Sequence, residues 1–361
     1  MKSSNVKTIA VLGSHSALEV CFGAKKLGFK TLVIVEKGRD KTYAQYYKNI
    51  VDEVLYVDKY KDLLTEKVQK ILQEKNVIFI PNRSFEVYLN DYDAIENNFK
   101  VPLFGNKFLL RTEERGTGNK LDQYKIMDEA GIRYPKQFKD PTEIDRLVIV
   151  KVLEKVRGFE RSFFLAKDKT EYNRRSRIRI KRGDFLEEHL QKAVIEEFVP
   201  GVQVNFNFFY DPLNKRLELL GTDTRRQTNR EAMERLSDKY QQLFLNNGSV
   251  KFEEAGHIAV TVLESMLEDA FEIGEKFVKA TQELVKPGVI GPFGLQTMII
   301  PGPPKKEIIV FDVAPRMPGS PGIAATPYSS YLYGRPVSMG ERVAMEIKEA
   351  IEKNQLSKIT T

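Results

Sequence analysis

The chain has one cysteine, Cys21, and no tryptophan in 361 residues. One thiol cannot close an intrachain disulfide or build a multi-cysteine zinc site, so both kinds of stapled fold are excluded. Its neighbours Val20 and Phe22 mark Cys21 as a small buried apolar residue. No apolar run approaches the length of a membrane span, and no basic–apolar–small leader pattern opens the chain. The expectation is a soluble, cytoplasmic protein with no membrane partner. Internal repeats are absent. A strong charge of one sign is absent as well: the formal net charge of +7 is spread over a long chain and argues little for nucleic acid. Few Cys, no Trp and many Lys and Glu fit a protein built for heat.

What is present suffices for large cores. Apolar residues make up 42%, with 22 Phe and 15 Tyr, and the length allows two or three domains. Through the first hundred residues, short apolar runs alternate with amphipathic stretches. Strands are expected over 8–13, 30–36, 53–58 and 76–82, with helices over 16–28 and 63–75. Strand–helix–strand repetition implies a doubly wound parallel sheet, which binds ligands at the carboxyl ends of its strands. Three polar stretches fall at those ends: "GSHS" (13–16), "KGRD" (37–40) and "PNRSF" (81–85). Ser14 and Ser16 can cap the first helix, whose free N–H groups attract anions. His15 is then either incidental to the cap or a ligand contact.

Around 106–132 the pattern changes, and a domain boundary is expected near residue 117, so that 1–117 and 118–361 form separate domains. Downstream, strands are expected over 146–152, 161–167, 193–201, 203–211 and 216–223, then 291–300 and 307–316. Helices are expected over 261–285 and 338–353. The fold class is therefore α/β, a doubly wound domain followed by an α+β domain. The charge run "RRSRIRIKR" (174–182) has only Tyr172 as an aromatic neighbour, which favours a mobile basic turn over a nucleic-acid surface.

Four features of the second half belong together. Lys151 ends a strand, where a lysine can reach a nucleotide phosphate. "IEEFVPG" (195–201) joins two strands and offers backbone groups to a base and a carboxylate to ribose. Gln296 lies on one late strand, and Asp312 and Arg316 close the next. Asp312 and Arg316 are either a solvated ion pair at a strand end or part of a magnesium–phosphate site. Magnesium needs only one or two protein oxygens beside phosphates and water. An arginine there can neutralise charge on a transferring phosphoryl group.

This order resembles the ATP-grasp superfamily, whose last strand usually reads acid–x–Asn–Pro–Arg. More narrowly, "LGSHSAL", "FGNKFLLR", "IEEFVPG", "GPFGLQ" and "PYSSYLYGRPVSMGERVAMEIKEAI" resemble the formate-dependent 5-formaminoimidazole-4-carboxamide ribonucleotide synthetases of archaeal purine synthesis. The resemblance covers nearly the whole chain. It implies a Rossmann-like domain ahead of an ATP-grasp domain divided at about residue 200 (118–200 and 201–361). It also implies a homo-oligomer acting on ATP, formate and the aminoimidazole-carboxamide ribonucleotide, with Mg²⁺. His15, Ser84 and His257 would contact the ribonucleotide. Lys151, Glu196, Glu197, Phe198, Val199 and Gln227 would hold ATP, Gln296 and Asp312 would hold the metal, and Arg316 with Lys151 would serve phosphoryl transfer.

The chain also departs from that family. Its loop after Lys151 has one glycine, Gly158, where a glycine-rich loop is expected, and a backbone nest depends on glycine conformations. Ala314 replaces the Asn of the last strand. "MPGSPG" (317–322) replaces a Gly-Gly-Thr-Asn segment, Gln227 an acid, and His257 an Asn. The alternatives to a working formyl ligase are therefore a divergent paralogue that binds nucleotide with lost or altered activity and, more remotely, a basic nucleic-acid-binding protein.

Overall fold

A computed structural model of the chain describes residues 7–114, 121–152, 163–191, 193–247, 254–302 and 304–361. The boundary expected near residue 117 and the Gly158 loop lie outside the described residues.

The first layer forms because its strands are apolar on both faces. β1 (Thr8–Leu12) is buried at every residue, as is β4 (Val77–Ile80); β2 (Lys30–Glu36) is buried along its centre, and β3 (Glu53–Val57) is the edge. All pair in parallel, in the order β3-β2-β1-β4. α1 (Ala17–Lys26) covers one face, where Ile9, Val11, Val33 and Val35 point. α2 (Glu66–Glu74), α3 (Arg83–Leu89) and α4 (Tyr92–Asn98) frame the other core, which takes Ala10, Leu12, Leu32 and Ile34. The period of two sorts residues between two cores because helices cover both sides.

α5 (Gln123–Glu129) leads into a small antiparallel sheet of β5 (Gln137–Phe138), β6 (Val148–Lys151), β7 (Phe163–Ala166) and β8 (Val194–Glu197), ordered β5-β8-β6-β7. Between β7 and β8 lie α6 (Lys169–Lys181) and the short α7 (Glu187–Leu190). The basic run is thus helical, which corrects the expected mobile turn. Asp168 caps α6 by accepting from Glu171 N–H, and Glu171 answers Arg174 and Arg175 one turn on. Local i,i+3 and i,i+4 pairing turns a repulsive run into a stable helix face.

The largest sheet is antiparallel, ordered β11-β10-β9-β12-β13. Its strands are β9 (Val202–Asp211), β10 (Arg216–Gln227), β11 (Glu254–Ala259), β12 (Gly291–Ile300) and β13 (Glu307–Ala314). Neither α8 (Thr228–Glu234), α9 (Asp238–Asn247) nor β11 is foreseen from the sequence. α10 (Leu267–Leu284) starts six residues later than expected, after an extended stretch and a 3₁₀ turn at Glu264–Met266. It packs on Phe206, Phe208, Phe293 and Leu295.

α11 (Tyr328–Tyr333) and α12 (Met339–Glu352) return the chain to its start. α12 crosses α1 at glycine contact: a Cβ on Gly340 would sit 2.2 Å from Glu19 O, and one on Gly23 equally close to Gly340. Glu19 accepts from Met339 N–H at 3.0 Å, capping α12 from another helix. The last residues pair with 103–105, through Thr361 N–H to Leu103 O at 2.9 Å.

Candidate functional site

In the parallel sheet, β1 pairs with β2 on one side and β4 on the other, so strand order reverses beside its carboxyl end. That is where an open α/β sheet leaves a crevice. Asn82, fully buried after β4, fixes the crevice wall. Its Nδ2 donates to Leu12 O at 3.0 Å and His15 O at 2.9 Å, while its Oδ1 caps α3. His15 and Ser16 take positive φ of 21° and 62°, strained for residues with side chains. The expected cap fails here: the Ser16 hydroxyl donates to Pro318 O and makes no bond to α1. The His15 ring lies against Gly319, where a Cβ would be 2.4 Å from Nε2. Burial, helped by the nearby Arg316 charge, pushes the His15 pKa down to about 3, so the ring is neutral. Ser84 is buried in the first turn of α3, on the same crevice edge. Arg39 of "KGRD" instead stacks over Tyr60 and Tyr88.

A bridge from Asn82 to Met317 joins this edge to the segment after β13. Arg316 is drawn in with it. Its Nη2 meets Glu113 Oε1 at 2.6 Å, and Arg83 Nη1 meets Glu86 Oε2 at 2.7 Å and Glu113 Oε1 at 3.4 Å. Burial and the neighbouring Glu113 raise Glu86 to about 8. Arg316 Nε and Glu86 Oε1 face each other at 3.8 Å, too far for a hydrogen bond, and Glu113 Oε2 has no hydrogen-bond partner among the described residues.

The antiparallel sheet supplies the facing wall. On β9, Val204, Phe206 and Phe208 enter the α10 core, so Asn205 and Asn207 point to the opposite face. Register aligns one polar row across four strands: Asp223 opposite Asn205, Asn205 opposite Gln296, and Gln296 opposite Asp312. The register slips next to Gln296, with Thr297 opposite Val310, so Phe311 is the extra residue of a bulge. A bulge re-aims side chains. Phe311, expected inside an apolar run, is accordingly only half-buried.

At one end of the row, Asn205 Nδ2 donates to Asp223 Oδ2 at 2.9 Å and Asn207 Nδ2 to Asp223 Oδ1 at 2.7 Å. His257 places Nδ1 on Asp223 and Nε2 on Glu254 Oε1 at 2.8 Å. Burial alone would lower its pKa; the two carboxylates outweigh this and raise it to about 9, and Asp223 is held below the usual carboxylate range. Ser320 Oγ lies 3.2 Å from His257 Nδ1. At the other end, Gln123 Nε2 lies 3.3 Å from Asp312 Oδ1. The buried oxygens Asn205 Oδ1 and Gln296 Oε1, in the middle of the row, have no partner among the described residues.

Lys151 closes the cleft from the small sheet. Its ammonium pairs with Glu196, which also accepts from Tyr124 OH at 3.0 Å, and lies 5.7 Å from the centre of the Phe311 ring. Glu197 caps Lys136 N–H, Phe198 N–H reaches Leu147 O, and Val199 is buried. Gln227 ends β10 at a bulge opposite Glu254.

The structure thus pairs Lys151 with Glu196 near the Phe311 ring and sets Gln296 opposite Asp312. His15, Ser84 and Arg316 lie by the end of β4, and the His257 ring sits between Asp223 and Glu254 with Ser320 beside it. Arg316 faces Glu113, so it is engaged by an acid of the first layer. Asn205, Asn207 and Asp223 escape sequence reasoning. The signal for the two asparagines is "VNFNFF" (204–209), where they alternate with apolar residues in a strand. A separate acidic group, Asp211, Glu346 and Glu349, has the spacing of a metal site. It is already answered by cations, Arg342 on Asp211 and Glu346 and Lys353 on Glu349.

Two family models match, one described as a protein of unknown function over residues 9–138 and one as a domain of unknown function (DUF1297) over 171–361. The 5-formaminoimidazole-4-carboxamide-1-(beta)-D-ribofuranosyl 5'-monophosphate synthetases of Methanocaldococcus jannaschii and Methanothermobacter thermautotrophicus are each 39% identical, covering 98% of this chain and 94% of theirs. The crystal structure of an IMP biosynthesis protein PurP from Thermococcus kodakaraensis aligns over 98% of this chain and all of that one, at 28% identity and a TM-score of 0.71. N5-carboxyaminoimidazole synthetase from Staphylococcus aureus, complexed with ADP, shares the fold over 94% of this chain and 77% of its own, at 14% identity and a TM-score of 0.61.

Proposed function

The chain belongs to the family of 5-formaminoimidazole-4-carboxamide ribonucleotide synthetases, ATP-grasp ligases of purine biosynthesis, and from that premise we propose what its own cleft does. It joins formate to the 5-amino group of the aminoimidazole-carboxamide ribonucleotide at the expense of ATP. Formate is a poor electrophile. Transfer of the γ-phosphoryl group to a formate oxygen gives formyl phosphate and ADP. The amine then attacks the formyl carbon, the carbon–oxygen bond to phosphate breaks, the nitrogen loses a proton and phosphate leaves.

What supports this reading most is that Lys151, paired with Glu196, reaches within 5.7 Å of the ring of Phe311, the residue next to Asp312, which in turn lies opposite Gln296. Lys151 supplies a charge for phosphate, held by Glu196 until nucleotide arrives. Gln296 and Asp312 suit Mg²⁺ because both offer oxygen, and the Gln296 carbonyl is buried without a donor. When bound, the ion would neutralise the β- and γ-phosphates. His15 and Ser84, across the crevice, are placed for the ribonucleotide. The protein's contribution is positioning, charge neutralisation and exclusion of water.

A second reading, nucleotide binding without ligation, draws support from the Arg316–Glu113 pair, which occupies the arginine expected to serve the transferring group. Phosphate release from ATP with formate and the ribonucleotide, against omission of each, separates the two. Release that needs all three supports the ligase. Thermal stabilisation by ATP with no release in any mixture supports the second reading.

A further inference from the structure

The middle of the polar row carries a consequence of its own. Asn205 is 5% exposed and its amide cannot turn freely. Its Nδ2 donates to Asp223 Oδ2, and Asp223, already taking Asn207 Nδ2 and His257, is fixed as an acceptor. A carboxylate on one side commits the NH₂ to that side, so the carbonyl must face the other way. On that other side lies Gln296, opposite in register, 7% exposed, with its own carbonyl oxygen unpartnered. Beyond Gln296 comes Asp312.

Two neighbouring buried carbonyls with no donor are costly, because each forfeits its hydration without replacement. They cannot satisfy each other, because both only accept at oxygen. A cation satisfies both at once, as does any group with two N–H or O–H donors, a water included. The adjacent Asp312 carboxylate favours the cation, and a set made wholly of oxygens favours a hard divalent one.

We propose that Asn205 is a third protein ligand, through Oδ1, of the divalent cation at Gln296 and Asp312, with Asp223 as the residue that aims it. His257 and Glu254 extend the same chain of bonds and hold Asp223 in place. The orientation is built before any ligand arrives, as outer partners of metal ligands commonly achieve. The inference rests on the cleft taking a metal–nucleotide complex. It does not rest on ligation, since its test uses ADP alone.

The test is Mn²⁺ binding to the full chain with saturating ADP, followed by electron paramagnetic resonance, beside ADP affinity measured in chelator. Asn205→Ala is expected to weaken Mn²⁺ about tenfold or more with ADP affinity in chelator unchanged, and Asp223→Asn to weaken it less, by freeing the amide. Unchanged Mn²⁺ affinity in Asn205→Ala overturns the proposal. So does unchanged Mn²⁺ affinity with weaker ribonucleotide binding in chelator, which would make the Asn205 oxygen an acceptor for substrate N–H. Should Asn205→Ala not fold, the unmutated protein labelled with ¹³C at the asparagine carbonyl decides. A strong ¹³C coupling to bound Mn²⁺ supports the proposal, and none overturns it.

Discussion

Two buried polar clusters hang on the same antiparallel sheet, and they differ in how completely they are closed. At the edge near α12, Arg342 reaches Asp211 at 2.9 Å, Glu218 at 2.8 Å and Glu346 at 2.8 Å, and its guanidinium lies 4.1 Å from the Phe209 ring centre. Arg216 and Tyr333 add to Glu218 from outside. Apart from Glu346 Oε1, the carboxylate oxygens there meet donors, and burial lifts Glu346 to about 7 against the opposing pull of Arg342. Along the cleft, by contrast, the buried oxygens Asn205 Oδ1 and Gln296 Oε1 have no partner among the described residues. A closed network holds elements together. An open one, kept open at a cost in stability, is where a ligand completes the bonding.

The contrast can be broken from either side. Asp312→Ala should leave the thermal midpoint nearly unchanged while cutting phosphate release by roughly a thousandfold, a transition-state loss of about 4 kcal/mol. Retained turnover would remove Asp312 from the site. Arg342→Ala should do the reverse in kind. It strands three buried acids and should cost about 3–5 kcal/mol of stability by urea unfolding, with nucleotide affinity preserved in whatever folds. Gly340→Ala sharpens the closed side further. Its Cβ must push α12 off α1, at roughly 1–3 kcal/mol, and a neutral result would mean the crossing is loose.

The smallest effect is one of pH. His257 has a folded pKa raised from 6.5 to about 9, so its contribution to stability is complete below 6.5 and fades as pH rises through 9. Stability should therefore fall between pH 7 and 9 by about 1–2 kcal/mol from this group, after solvent screening. His257→Asn should flatten that slope; an unaltered slope would detach His257 from Asp223.

Much of this was legible in residue order. The parallel strands could be read from "TIAVL" and "LVIV" because burial on both faces demands continuous apolar runs. The tail "SMGERVAMEIKEA" resembles the family, and the structure gives the reason. Ser338 caps α12, Gly340 permits the α1 crossing, and Arg342 and Glu346 build the closed network. Those residues are scaffold. The basic run misleads because its neutralising partners, Glu171 and Asp184, lie outside the run itself. β11 was missed because "EAGHIA" has little alternation, its strand character coming from pairing with β10.

Composition and periodicity, read along the chain, determined the layers, the absence of cross-links and the strand ends where ligands would gather, because those depend on neighbours a few residues apart. Tertiary structure alone decided which of those ends share a cleft, that Arg316 turns to Glu113, and that Asn205 gives its amide to Asp223. Each depends on partners between 18 and 203 residues distant, Asp223 for Asn205 and Glu113 for Arg316. Register and packing set such distances, and no local propensity encodes them.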